Sequence, residues 1–415
     1  MATTLDPKRV VSDLKELRTL TADERGAQRV AFTPTWVKAR TWLEAKCREA
    51  GLECHRDPAG NFWATLRGGS PKELLIGGHI DSVPNGGWLD GCLNVLAGLE
   101  VIRHIAATTS GTPPITLRLV DWADEEGARF GRSLFGSSAC AGSLELEAVR
   151  NLKDRDGITL PKALEGVGID FERVLESHSE LMNAAAYLEL HIEQGPVLLE
   201  RGLSLGAVVG TFGVERHAIT FTGQAAHSGS TPMHLRRDAL LAASRMAQEI
   251  YAIANRYGGV CTIGSCTTKP GIVTSVVEEC RITLDQRHLD ATTLAAMLAA
   301  AHDAAERFAR EGHVSVAWEH LWKIDPIHFS PSLIQLCVES VEDASGTPFR
   351  MPSGPLHDAA SVSRHGVPTV MMFVQSLHGI SHNRAEDTRE EDLELSVVAL
   401  GSLATKTIAW IGGQR

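Results

Sequence analysis

The sequence predicts an α/β protein: a discontinuous main domain around a mostly parallel sheet, with an α+β domain inserted into it. Three observations predict this. Apolar strand segments alternate with helical ones up to about residue 210 and again from about residue 327, the order that builds parallel sheets. Between them, residues 211–326 switch to half-polar alternating strands and alanine-rich helices, the pattern of a small antiparallel sheet covered on one face. Polar clusters also stand where three strand segments end. The domains are therefore 1–210 with 327–415, and 211–326, with hinges expected near Gly210 and Pro326.

The elements follow in chain order. Residues 1–20 mix charges into apolar positions and read as an amphipathic helix rather than a secretory leader. Thr33-Pro34 opens a second helix by a cap and a first-turn proline. Trp36, Ala39, Leu43, Cys47 and Ala50 then recur at helical spacing up to Gly51. Residues 61–67 form a strand. Residues 73–79 have an apolar centre with polar ends, the look of an inner strand. A helix over 93–107 and a strand over 115–122 complete a βαβ unit.

In the insertion, 214–223 alternates as a strand, 237–254 is a helix, 259–267 and 280–288 are strands, and 291–310 is a helix. This βαββα order makes a βαββαβ-like unit. The alternation of 214–223 suggests an edge strand able to pair with its twin across a two-fold axis. Helix 331–343, strand 368–374 and helix 392–411 return to the main domain.

Composition limits the function. Hydrophobic residues make up 43% and charged residues 22% of 415, ordinary for a globular protein. Lys+Arg 40 against Asp+Glu 51 gives a net charge of −11, which argues against nucleic-acid binding. No run of eighteen apolar residues suggests a membrane span. Eight cysteines occur without a CxxC pair, as expected of reduced thiols in the cytoplasm.

The chemistry gathers in His79, Asp81, Asp90, Glu125, Glu126, His191 and His382, each beside small residues or turns. Imidazole nitrogens with carboxylate oxygens suit zinc, manganese or nickel. A paired-metal site needs a bridging carboxylate, and Asp90 fits because Gly91 lets backbone come close. Adjacent Glu125 and Glu126 point in different directions, so one can hold metal while the other serves as general base. Spacing alone does not assign these residues to individual metals.

Several segments resemble the M20-type metallohydrolases, in the branch of N-carbamoyl-L-amino-acid hydrolases, β-ureidopropionases, allantoate amidohydrolases and ureidoglycolate amidohydrolases. They are Gly77-Gly78-His79-Ile80-Asp81-Ser82-Val83-Pro84 with Gly86-Gly87-Trp88-Leu89-Asp90-Gly91, Asp124-Glu125-Glu126-Gly127, and His191-Ile192-Glu193-Gln194-Gly195. Ala226-His227-Ser228-Gly229-Ser230 and Gly379-Ile380-Ser381-His382 complete the set. The likeness runs over nearly the whole chain. It implies a catalytic main domain and an inserted dimerisation and lid domain. It makes Asp90 the bridge, His79 and His191 the ligands of one metal, and Glu126 and His382 those of the other. Glu125 would be the general base, and Asp81 would orient the His79 ring. Gln194 would contact substrate, His227 would reach in from the other protomer of a dimer, and Arg287 would grip the substrate carboxylate.

The pattern also breaks. Asn94 stands where glycine is usual, Thr274 where an asparagine binds substrate, Leu356 within the Gly354–Ala359 motif, and Gln375 and Arg384 where prolines are expected. These changes are read as alterations of the pocket wall, with Thr274 and Leu356 facing substrate. The resemblance thus implies a cytoplasmic homodimeric amidohydrolase with two divalent ions per subunit, Zn²⁺ or Mn²⁺, with Co²⁺ or Ni²⁺ as alternatives. Its small-molecule substrate would be an N-carbamoyl (ureido) amino acid or related acid. The alternatives are an N-acyl or peptide-like amide, or allantoate or ureidoglycolate. No nucleic-acid or membrane partner is expected. A module that binds metal and ligand without turnover is the third reading; an intact Glu125 argues against it.

Overall fold

Strands buried along their length have no solvent face and must be covered on both sides. Glu73–His79, Thr116–Trp122 and Thr369–Val374 are buried throughout, and Ala184–Ile192 from Ala186 onward. They lie side by side and parallel, in the order Thr369–Val374, Ala184–Ile192, Glu73–His79, Thr116–Trp122. Antiparallel strands extend this centre: Leu205–Thr211 on one side, Phe62–Leu66 and then Glu53–Arg56 on the other. The parallel centre is what the sequence predicts, and with its antiparallel flanks the nine-stranded sheet is mixed. The computed structural model describes residues 5–414. Of these, the residues up to Gly210 and from Phe329 form one compact unit, and Thr211–His328 form a second.

In the first unit, helix Cys92–Thr108 makes the crossover from Glu73–His79 to Thr116–Trp122. A Cβ on its Gly98 would meet Ile76 and Leu119 side chains at 2.9 Å, so glycine sets how closely this helix approaches the sheet. Helices Pro7–Thr21, Cys92–Thr108 and Glu390–Gly413 pack on one another. Met1–Thr4, part of the expected first helix, lie outside the described residues. The next helix is Pro34–Glu49, capped by Thr33 Oγ1 accepting from Trp36 N, with Trp36, Ala39, Leu43 and Cys47 buried as their spacing predicts. Helix Glu390–Gly413 is long and apolar enough to cross a membrane by length and composition. Here that apolar surface packs on neighbouring helices and on two sheet strands.

The second unit has βαββαβ order. Its sheet runs Val260–Lys269, Glu279–His288, Gly213–Thr222, Ser315–Ile324, all antiparallel. Ile219 and Phe221 pack with Met246, Ile250, Met297 and Phe308 of helices Ala239–Tyr257 and Ala291–Glu311. Asp238 and Asp290 cap these helices. The expected edge strand is not an edge: Gly213–Thr222 is paired on both sides. Its alternation sends Ile219 and Phe221 to the helices, which an inner strand does as well as an edge strand.

Candidate metal centre

All four parallel strands deliver side chains from their carboxyl ends, where open α/β sheets gather ligand groups. His79 ends its strand, and Asp124–Glu126 follow Trp122. His191 stands one residue before the end of Ala184–Ile192, and His382 lies in the loop beyond Val374. Asp90 comes from the connection between Glu73–His79 and Cys92–Thr108. It precedes Gly91 (φ +67), whose added Cβ would lie 2.3 Å from the His79 carbonyl oxygen. Three non-glycine residues here adopt left-handed backbone: Asp124 (φ 56), Gln194 (φ 59) and His382 (φ 53). Such strain costs about 1–3 kcal/mol per residue and clusters at functional sites.

The donors sort around the two oxygens of Asp90. Oδ1 lies 3.1 Å from His191 Nε2 and 3.7 Å from His79 Nε2. Oδ2 lies 3.4 Å from His382 Nε2, which is 3.3 Å from Glu126 Oε2. Among the described residues, His79-Asp90-His191 and Asp90-Glu126-His382 each bring ligand atoms within 4.8 Å of one another. Glu125 belongs to neither group; its Oε2 stands 3.7 Å from His79 Nε2.

Main-chain carbonyls set the imidazoles. His79 Nδ1 donates to the Asp81 carbonyl (3.1 Å) and His191 Nδ1 to that of Ile192 (2.8 Å). A carbonyl only accepts, so Nδ1 carries the proton and each Nε2 points toward Asp90. His191 Nε2 is buried without a hydrogen-bond partner. Two imidazole lone pairs facing a carboxylate call for a cation, and this donor set fits a divalent metal.

The electrostatics agree. Burial opposes the charge of His191, but Asp90 raises its pKa to about 9. Burial lowers His79 to about 4. Asp90 is held well below the usual carboxylate range: burial pushes it up, and the contacts with His191 and His382 outweigh that. Glu125 is pushed well above its ordinary value by burial and by Asp358 and Glu126, and Glu126 by burial and by Asp90. Too many buried carboxyls face too few cations.

Asp81 and Gln194 stand close to these ligands. The Asp81 main-chain carbonyl takes the hydrogen bond of the His79 ring, and the Asp81 carboxylate stands further off, its Oδ1 3.6 Å from His79 Nδ1. Its Oδ1 accepts from Glu125 N (3.3 Å) and Oδ2 from Glu126 N (3.2 Å). It therefore holds the Glu125-Glu126 turn, and burial raises its pKa to about 6. Gln194 Nε2 donates to Asp90 Oδ2 (2.9 Å) and to Ser381 Oγ (3.1 Å), placing this residue against the ligands. Leu356 is half-buried just before His357.

In the second unit, His227 is exposed, its Nδ1 accepting from Gly229 N (3.2 Å). Ser228 N donates to the carbonyl of the exposed Thr274 (3.0 Å). Arg287 Nε donates to Asp285 Oδ1 (2.8 Å), and Arg216 Nε to Asp285 Oδ2 (2.7 Å).

Not all departures face a pocket. Asn94 is fully buried inside helix Cys92–Thr108, neither polar side-chain atom having a partner. Gln375 is buried and its N donates to Ser204 O (2.9 Å), a bond proline lacks. Arg384 reaches the Glu24 carbonyl (3.2 Å). Sequence reasoning gave no role to His357, whose ring lies 4.3 Å from that of His191, to buried Asp358, or to Glu386. The first two stand in the quoted 354–359 motif, and Glu386 follows His382 by four residues.

Fold and side chains together define a metal-dependent hydrolase built around a mixed α/β sheet. The chain belongs to peptidase family M20/M25/M40, which it matches over residues 75–406. It is 36% identical over 381 residues to an N-carbamoyl-L-amino acid amidohydrolase of Geobacillus stearothermophilus, covering 90% of this chain and 92% of that one. It is 32% identical over 389 residues to an allantoate amidohydrolase of Escherichia coli, covering 93% of each. A crystal structure of a hydantoinase/carbamoylase family amidase from Burkholderia multivorans superposes with a TM-score of 0.88 at 33% identity, covering 97% of this chain and 98% of that one.

Proposed function

We propose that the chain is an amidohydrolase that cleaves a C–N bond of an N-carbamoyl (ureido) amino acid or a related acid such as allantoate. The observation that carries this is the sorting of His79 and His191 to one oxygen of Asp90, and of His382 to the other. The amidohydrolase names of its relatives support the substrate class.

Two divalent cations, zinc or manganese with cobalt or nickel as alternatives, would polarise the scissile carbonyl and make water acidic when bound. His79 and His191 would hold one, Glu126 and His382 the other, with Asp90 shared. Glu125, close to His79 and in no ligand group, takes the proton of the attacking water and returns it to the leaving nitrogen. Its raised pKa suits both transfers. Asp81 aims Glu125 through the main chain. With a carbamoyl substrate, C–N cleavage yields the amine and a carbamate, which breaks down to carbon dioxide and ammonia.

Residues 1–210 with 327–415 act as catalytic domain, and 211–326 as dimerisation and lid domain. Gln194, Arg287, Thr274 and Leu356 would set substrate choice, and His227 from a second copy of the chain would polarise the carbonyl. Eight free thiols suit a reducing cytoplasm. The short hydroxyl of Thr274 and the apolar Leu356 favour one second reading, an N-acyl amide substrate. The test is a panel of carbamoyl amino acids, carbamoyl-β-alanine, allantoate and N-acyl amino acids with added Mn²⁺ or Zn²⁺. Ammonia release supports the first reading, and amine release without ammonia the second.

A further inference from the structure

We propose that Glu386 is a positioning residue that keeps Asp90 Oδ2 available to a cation; the proposal rests on the two-cation reading above. Glu386 is 2% exposed. Its Oε1 accepts from the main-chain nitrogens of Leu89 (3.1 Å) and Asp90 (3.0 Å). Its Oε2 accepts from Ser381 Oγ (2.9 Å). One carboxylate thus clips the loop that carries Asp90 to the loop that carries His382.

Ser381 makes this more than a brace. Its hydroxyl also lies 3.2 Å from Asp90 Oδ2, yet a hydroxyl has one hydrogen to give. Glu386 Oε2, at 2.9 Å the nearer of the two acceptors, takes it. Asp90 Oδ2 then accepts from Gln194 but not from Ser381, and keeps a lone pair on the His382 side for a cation. With Glu386 gone, the Ser381 hydrogen turns to Asp90 Oδ2 and competes for that lone pair. The effect falls on the Oδ2 side, with Glu126 and His382, and spares the Oδ1 side, with His79 and His191.

Gly87 offers an independent handle. A Cβ there would lie 2.0 Å from Glu386 Oε1 and 2.5 Å from its Cβ, so Gly87→Ala must displace Glu386 while changing no candidate ligand.

The experiment measures Mn²⁺ and Zn²⁺ binding to the full-length protein by chelator competition and elemental analysis. The variants are Glu386→Gln, Gly87→Ala, and Glu386→Gln with Ser381→Ala. In Glu386→Gln the amide oxygen still receives the two main-chain N–H groups, but its NH₂ donates to Ser381 and redirects that hydroxyl. One of the two cations should weaken by about 10- to 100-fold, with the other unchanged. Gly87→Ala should weaken the same cation. Adding Ser381→Ala removes the competing hydrogen and should restore most of the affinity, which a purely structural loss would not. Wild-type affinities in Glu386→Gln, or equal weakening of both cations without recovery in the double variant, overturn the proposal. A wild-type protein that saturates at one cation overturns the two-cation reading and this proposal with it, and shows so before any substitution is made.

Discussion

Asp90 Oδ1 lies 3.1 Å from His191 Nε2, and that imidazole has already spent its other nitrogen on the Ile192 carbonyl. The pair is thus held with a ring lone pair facing a carboxylate. Among the described residues the protein offers His191 no other partner at that nitrogen. A proton can fill the gap; on the proposed reading a divalent cation would fill it together with His79.

Removing metal should therefore cost both activity and stability. Dialysis against a chelator should abolish turnover and lower the melting temperature. Adding back Mn²⁺ or Zn²⁺ should restore both. At one hundred times the dissociation constant, binding stabilises the native state by about 2.7 kcal/mol. Unchanged melting after verified removal of metal would show that no such linkage exists.

Glu125→Gln should leave cation binding intact, because Glu125 belongs to neither ligand group. The amide cannot take a proton, so kcat should fall about 100- to 10,000-fold. Steady-state kinetics beside metal analysis check this, and a near-normal kcat refutes the assignment.

The turn after His79 hangs on a buried ion pair. Arg40 Nε donates to Asp121 Oδ2 (2.6 Å), and Asp121 Oδ1 accepts from Ile80 N (2.8 Å). Both side chains are at most 2% exposed. Arg40→Met leaves Asp121 charged and uncompensated, at a cost of about 3–5 kcal/mol. Asp121→Asn in the same chain should recover part of it, read as denaturation midpoints.

Asn94 runs the other way. Its carboxamide is buried with neither end bonded, a desolvation cost of about 1–3 kcal/mol. It sits mid-helix, where alanine is the best helix former. Asn94→Ala should raise the melting temperature despite the small void it leaves. A fall would mean that Asn94 has a partner, such as a buried water.

What was legible in the sequence follows from period and chemistry. Residues 73–79 betrayed an inner strand because no charge interrupts their centre. His79, Asp90, Glu126, His191 and His382 drew attention as polar groups beside turns at strand ends, and they converge in space. Sequence could not show that Gly213–Thr222 is flanked on both sides, since alternation reports exposure of a face and not of an edge. Nor could it show that Asp81 serves the Glu125-Glu126 turn, because its main chain and side chain do different work within one residue. Glu386 escaped notice for a related reason: it touches the amides around Asp90, almost three hundred residues away in the chain.

The central claim is that Asp90 is shared between two cations. It is tested most directly by anomalous diffraction from crystals of Mn²⁺- or Zn²⁺-loaded protein. The account predicts two peaks about 3.5–4 Å apart, one beside His79 and His191 and the other beside Glu126 and His382, with one Asp90 oxygen on each. A single peak in fully loaded crystals, or peaks that leave Asp90 uncoordinated, would contradict it.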